Sequence, residues 1–548
     1  MISILFFFAF IFRHIHSSIR PVFGDVIPNG IPLYYFLLSS SIEDGLIDAC
    51  ARFCYTTPMK RTVIGLLLLA ACFSLFSSDP GEWEQGIRTC TAILEQIRAY
   101  HPEPVDETEL VHASLHGLLA KLDPHSYFLD ADSFRAMFED QRGNYFGIGT
   151  RIRRIGGHLT VIAPIEGTPA FRLGILPGDV IAFIDGRPTR EMSLDEAMNY
   201  LRGQRGTQVT IKVERPGNPD LLSFQIKRTE IPLPTLTHTL VEPTDSRTGY
   251  IGLRTFGRTT ADEFKKAVDS LVLSQGIQRL IIDLRWNTGG SLAAAIELSD
   301  FFLQPGRPIV TLRGRSLERG FTSRERPLWP ELKLAILINR HSASASEILA
   351  AALQEHGRAL VVGRRSWGKG LVETVFNLPG NRGAALTTAR YHTPHGRCLQ
   401  REYGTALNPY GHRIPKDYDT NRAIPGGVIP DLIVKETRQS KTVRDLISKG
   451  AFFHFSRRLL ESGFAVSQDL AISEDLLRRF RAFVNGRDWQ IHIQKSNEPE
   501  VRREILRALL TSSISESAGF RVFLLHDPVN QAALHYLETS SLPKEPLS

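Results

Sequence analysis

The chain predicts a multidomain α/β protein: a layered α/β core with an inserted β-rich domain, set between helical N- and C-terminal segments. Three observations lead there. Its 548 residues exceed the roughly 100–200 of a single domain. From Gly249 to Val362 strands alternate with helices, the order of a sheet covered by helices. Between Tyr145 and Lys227 the texture is different, with short strands broken by Gly156-Gly157, Pro177-Gly178-Asp179 and Asp185-Gly186.

The first distinctive element is apolar. Val63–Phe76 follows Met59-Lys60-Arg61, so start residue, positive n-region and h-region come in the order of an export signal. This predicts a true start at Met59, with residues 1–58 an upstream extension and residues 1–78 absent from the mature domains. Leu69-Ala70-Ala71-Cys72 is similar to a bacterial lipobox, in which the cysteine is lipidated. Phe73–Phe76 continues the apolar run, which favours cleavage near Ser78 instead. Both routes predict an extracytoplasmic protein, in a bacterial periplasm or on the outer face of the membrane, with Cys72 as a membrane anchor on the first route.

Residues 79–142 read as helical, because Glu82–Tyr100 and Glu107–Leu122 carry apolar residues at three- and four-residue spacing. Asp123-Pro124 ends the second helix, and Asp132–Gln141 forms a third. Residues 143–230 hold the β-rich domain, with strands at Ile148–Ile155, Leu159–Ala163, Val180–Ile184, Gln208–Val213 and Leu222–Lys227. Helix Leu194–Leu201 lies among them. After the linker Ile231–Pro234, residues 231–435 form the core: strands Gly249–Leu253, Leu280–Leu284, Ile309–Leu312, Leu334–Ile338 and Ala359–Val362, with helices Thr260–Leu273, Leu292–Leu303 and Ser346–Gln354. Residues 436–548 are charged and helical.

Composition excludes some functions. The charged share is 22% and the net charge +7, with no Lys/Arg block of the kind that lines a nucleic-acid groove. The five cysteines lack zinc-like pairing with histidines, so neither metal nor cofactor is expected. A Cys90–Cys398 disulfide is left open by the sequence.

Three strings bear chemistry. Ser342-Ala343-Ser344-Ala345-Ser346-Glu347 joins a buried strand to an alanine-rich helix. A serine at a helix N-terminus meets free N–H groups suited to developing negative charge, yet Ser344-x-x-Glu347 also reads as a capping box. Gly289-Gly290 follows a strand and precedes a helix, where backbone N–H groups can face an oxyanion. Lys369 stands between Gly368 and Gly370. It serves as a base only where burial or neighbours let it shed its proton near neutral pH. The segment Gly363–Lys369 also approaches a phosphate-binding loop, but Gly370 replaces the Ser/Thr needed for magnesium and a strand follows where a helix is required.

Together with Asp123-Pro124-His125-Ser126, Asp283-Leu284-Arg285-Trp286-Asn287-Thr288, Thr393-Pro394-His395-Gly396-Arg397 and Gly426-Gly427-Val428-Ile429-Pro430-Asp431, these strings resemble the carboxyl-terminal processing peptidases, a family of exported Ser–Lys proteases. The resemblance covers roughly residues 100 to 435. It implies a crotonase- and ClpP-like peptidase core and identifies the β-rich unit as a PDZ-like domain. The family's nucleophile is the middle serine, 25 positions before the lysine, which selects Ser344 and Lys369. Oxyanion donors would be the N–H of Ala345 and one from Gly289 or Gly290.

The resemblance further implies that Phe146-Gly147-Ile148-Gly149 receives the carboxylate of a substrate chain end. The expected partners are protein or peptide substrates with free C-termini, without nucleic acid; self-association is left open. One departure stands out. Where the family has a glutamine that orients the lysine, this chain has Glu373. In a regular strand the two positions would lie about 13 Å apart, so contact needs the irregular backbone that Gly370 permits. An ionised Glu373 favours the ammonium form of Lys369. This raises the alternative of a peptide-binding protein with weakened or lost turnover.

Overall fold

The computed structural model describes residues 81–142, 144–215, 218–232, 234–407, 413–415 and 426–540. The start-site, signal and Cys72 expectations lie outside these residues. Residues up to Glu107 form one unit and residues from Thr108 a second. In the first, Glu82–Tyr100 forms the expected helix, with no buried residue.

Within the second unit, the core is a six-stranded sheet in the order Leu236–Val241, Thr248–Leu253, Arg279–Asp283, Lys333–Ile338, Ala359–Gly363, Leu432–Ile433. The first pair is antiparallel and the rest are parallel. Strands such as Leu334-Ala335-Ile336-Leu337-Ile338 are buried throughout, as parallel strands covered on both faces must be. On one face lies Ala345–Glu355, whose first nine residues are all buried. Its small alanines let it pack against Leu292–Asp300, with Phe264 of Thr260–Gln275 in the same core as Leu298 and Leu349.

A second sheet orders Tyr127–Leu129, Arg382–His392, Pro308–Arg313 and Glu318–Thr322, with Leu371–Leu378 also paired to Arg382–His392. The segment before the inserted domain is therefore not only helical, because Tyr127–Leu129 is a strand of the core. Tyr127 pairs with Ala385 across the whole insertion.

The β-rich domain leaves and re-enters the core through the ladder Asn144–Gly147 with Thr229–Pro232. Its antiparallel sheet runs Thr150–Ile155, His158–Pro164, Val180–Ile184, Gln208–Glu214, Leu222–Lys227. Val161, Ile181 and Ile211 form its interior with Ala197 and Leu201 of helix Leu194–Leu201. That helix begins with a complete capping box, Ser193 with Glu196.

The C-terminal region divides in two. Helices Lys441–Ser448, Ala451–Glu461, Glu474–Asn485 and Glu498–Ser513 enclose their own core of Phe452, Phe455, Leu477, Phe480 and Ile505. Glu516–Leu524 and Pro528–Thr539 instead cover the open face of the six-stranded sheet, placing Leu524, Val529, Ala533 and Leu537 on Ile281, Leu337 and Val362. Arg285 Nη2 lies 2.6 Å from both Asp283 and Asp527. Asp527 caps the last helix, so a buried ion pair ties it to the sheet. Cys90 and Cys398 are free thiols.

Candidate active site

Three loops leave the C-terminal ends of adjacent parallel strands, where open α/β sheets place their ligands. The loop after Arg279–Asp283 carries Gly289-Gly290, that after Lys333–Ile338 carries Ser344, and that after Ala359–Gly363 carries Lys369.

Ser344 adopts φ 56°, ψ −115°, a left-handed conformation costly for any residue with a Cβ. Its neighbours explain why it is held there. Ser342 and Ser346 are fully buried and engaged: Ser342 Oγ donates to Leu284 O at 2.8 Å and Ser346 Oγ to Asn287 O at 3.0 Å. These two hydroxyls rivet the turn to the glycine loop, leaving the middle serine as the partly exposed one. Glu347 Oε2 accepts the Ser344 N–H at 2.7 Å. The Glu347 amide reaches back to the Ser344 carbonyl at 2.9 Å, so Ser344 and Glu347 make the capping box that the sequence suggested.

The Glu347 carboxylate does more than cap. Lys369 N–H donates to the same Oε2 at 2.9 Å, while Gly368 N–H, at 2.7 Å, and Ser366 Oγ donate to Oε1. One side chain therefore gathers the backbones of Ser344 and Lys369 onto a single oxygen. Trp367 N–H donates to Ser342 O as well. Glu347 is 1% exposed, and burial pushes its carboxyl up to about 7 despite those four hydrogen bonds.

Gly289 and Gly290 both need positive φ, 105° and 137°. A Cβ on Gly289 would lie 2.8 Å from Ser344 Cβ and 3.0 Å from Ala345 N, so glycine permits the closest approach of the two loops. The Gly289 N–H is not directed at an oxyanion, since it donates to Asn287 Oδ1 at 2.8 Å. Of the two glycines read as alternative donors, Gly289 is the one that approaches Ala345 N, and Gly290 lies against Phe256. Asn287, fully buried, also donates from Nδ2 to Leu253 O at 2.8 Å and accepts Ala343 N–H at its carbonyl. It pins the glycine turn, a role its place in the Asp283–Gly290 string hinted at without specifying.

Lys369 Nζ lies 2.8 Å from Glu373 Oε1. The contact arises as the sequence required: Gly370 packs so tightly on Gln400 that a Cβ would fall 2.2 Å from its N, and the ladder slips between Val372 and Glu373. Among the described residues, no hydrogen bond joins Ser344 Oγ to Lys369 Nζ; the amine faces Glu373. His125 Nδ1 is 3.7 Å from the same Oε1. This brings the Asp123–Ser126 string to the site, where Asp123 accepts from the His125 and Ser126 amides. Burial, then the charge on Glu373, pushes the Tyr391 hydroxyl up to about 12.

Two groups escaped the sequence reading. Trp286, at φ 66° and 65% exposed, stacks on His341 with centroids 4.1 Å apart. The pair stands three residues before Gly289 and before Ser344 respectively. Glu355 grips the Thr393–Arg397 string through the His395 N–H and the Arg397 guanidinium. In the β-rich domain, the carbonyls of Phe146, Ile148 and Gly149 accept amides of Gly203, Ala170 and Ile165. These bonds fix Phe146–Gly149, of which Phe146 and Gly147 belong to the strand paired with Thr229–Pro232 and only Ile148 and Gly149 form a loop.

Residues 247–408 match the family profile of peptidase family S41, and residues 160–215 that of the PDZ domain. The carboxy-terminal-processing protease of Bartonella bacilliformis is 35% identical over 58% of this chain and 72% of its own length. The chain belongs to the carboxyl-terminal processing proteases of peptidase family S41. The carboxyl-terminal-processing protease of a Picosynechococcus strain is 34% identical, over 53% of this chain and 70% of that protein. Among solved structures, the photosystem II D1 C-terminal processing protease is similar at 28% identity, covering 61% of this chain and 84% of that one with a TM-score of 0.35. The S41 match places the Gly289, Ser344 and Lys369 loops in one peptidase domain, and the PDZ match lies within the β-rich insertion.

Proposed function

We propose that this S41 serine protease cleaves polypeptides near their C-termini with Ser344 as nucleophile and Lys369 as general base. The observation that carries the assignment is the Glu347 carboxylate, whose Oε2 holds the backbone amides of both residues. Ser344 Oγ attacks the scissile carbonyl carbon as its proton passes to neutral Lys369. The oxyanion rests on the N–H groups of Ala345 and Gly290. Lys369 returns the proton to the departing amine as the C–N bond breaks, and water then hydrolyses the acyl-enzyme by the same path. Phe146–Gly149 of the PDZ unit takes the substrate's terminal carboxylate.

Mature protein incubated with casein, an unstructured substrate, should release peptides, and Ser344→Ala should release none while retaining its circular dichroism spectrum. Cleavage that persists in Ser344→Ala overturns the assignment. A second reading, a PDZ-bearing binding protein with weakened turnover, is favoured by the 2.8 Å Lys369–Glu373 contact. It predicts peptide binding without turnover in the wild type. The Met59–Phe76 signal supports an exported protein, carried through Cys72 or released by cleavage near Ser78. Precursor carrying residues before Met59, found by N-terminal sequencing, would argue against that start.

A further inference from the structure

The role of the C-terminal helices becomes specific where they meet the PDZ domain. Thr150–Ile155 is the edge strand of the PDZ sheet, the place where an added peptide strand pairs. The C-terminal helices stand beside it. Gly450, at φ 67°, approaches so closely that a Cβ would lie 2.4 Å from Ile155 Cγ2. Arg151 pairs with Glu516 at 2.9 Å, and Gly178 is packed under Arg457.

Between them remains a cavity of about 670 Å³, within the range of ligand clefts. Its floor is apolar, with Ile155, Leu194 and Phe452. Its polar lining has one sign: Arg153 and Arg154 from the PDZ unit, Arg444 and Arg507 from the helices, and no Asp or Glu. Arg507 is neutralised by Glu504 at 2.6 Å. Arg154 donates to the carbonyls of Gly157, Thr189 and Met192, and Arg444 to that of Gln439. Carbonyl partners fix a guanidinium without cancelling its charge, so the cleft keeps a positive field.

We propose that this cleft binds an acidic stretch of the substrate, a few residues upstream of its C-terminus. The proposal rests on the reading that Phe146–Gly149 takes the terminal carboxylate. A peptide held there would run antiparallel along Thr150–Ile155. At about 3.4 Å per residue, its fourth to sixth residues from the end would come level with Arg153 and Ile155. The C-terminal helices thus complete the substrate site instead of merely flanking it, and they set a preference for Asp and Glu at those positions.

The test uses full-length mature protein carrying Ser344→Ala, and fluorescence anisotropy of labelled ten-residue peptides. All end in the same apolar residue with a free carboxylate and differ at the fourth to sixth positions from the end: three Glu, three Ser or three Lys. The Glu peptide should bind about tenfold tighter than the Ser peptide and the Lys peptide more weakly, with the spread shrinking as salt rises. Arg444→Glu, and separately Arg153→Glu on the exposed strand, should each reduce the preference for Glu severalfold. Circular dichroism of both variants checks their folding.

Equal affinity for the Glu and Ser peptides, each bound better than its amidated twin, overturns the proposal and leaves chain-end recognition standing. A preference for Glu undiminished in both folded variants overturns the assignment to this cleft. No advantage of any free-ended peptide over its amidated twin overturns chain-end recognition, and the proposal with it.

Discussion

Glu347 is the residue through which the site's geometry and its pH dependence are joined. Ionised, its two oxygens accept four donors; protonated, its own O–H has to displace one of them. With the carboxyl near 7, turnover should climb as pH rises through that value. Stability runs the other way. The folded value lies above the ordinary 4.5, so between about 4.5 and 7 the native state holds a proton that the unfolded chain has released. Stability therefore falls across that window, on the order of a few kcal/mol, and is level above it. Glu347→Gln should abolish this component and lower kcat about 10- to 100-fold, because its amide NH₂ faces donors. Rates against pH, and melting at pH 5 and 7.5, check both. Glu373→Gln should act oppositely and raise the neutral-pH rate severalfold, since the Glu373 carboxylate, 2.8 Å from Lys369 Nζ, engages the amine that has to take the Ser344 proton. Matching pH–rate profiles for the two proteins would count against it. Glu373 was legible as a departure from a pattern. Glu347 was legible only as a cap, because nothing local in Ser344-x-x-Glu347 says that residues 366 to 369 return to the same carboxylate.

At the scale of elements, the loops work because their strands end at one edge and their closest approach is unobstructed. Gly289→Ala places a methyl group 2.8 Å from Ser344 Cβ at φ 105°. It should cost at least about 100-fold in kcat while the fold persists, measured by casein cleavage beside thermal melting. The parallel strands were readable because they are short, mostly apolar runs. Arg382–His392 was not. It mixes Arg, Thr and His and is fixed by pairing to three strands, two of them, Tyr127–Leu129 and Pro308–Arg313, from distant parts of the chain. Tyr127–Leu129 was hidden for the same reason: three residues carry no period, and their partner lies some 250 residues away.

For the molecule as a whole, the last two helices matter as cover for a sheet face. The sequence reads residues 436–548 only as charged and helical, which does not say which surface their last helices meet. Arg285 is the fastening, its side chain 6% exposed between Asp283 and Asp527. Arg285→Ala leaves two carboxylates facing each other beside Tyr250, whose hydroxyl donates to Asp283. It should destabilise the protein by about 3–5 kcal/mol, read as a shift in the urea midpoint with the slope unchanged.

Ser344 at φ 56° has a consequence that reaches beyond catalysis. The angle suits glycine, and a side chain is held there at a cost on the order of 1–3 kcal/mol. On the proposed mechanism, selection for turnover keeps serine in place against that strain. In a lineage released from such selection, glycine at this position would relieve that strain, so loss of activity would be rewarded in stability and hard to reverse.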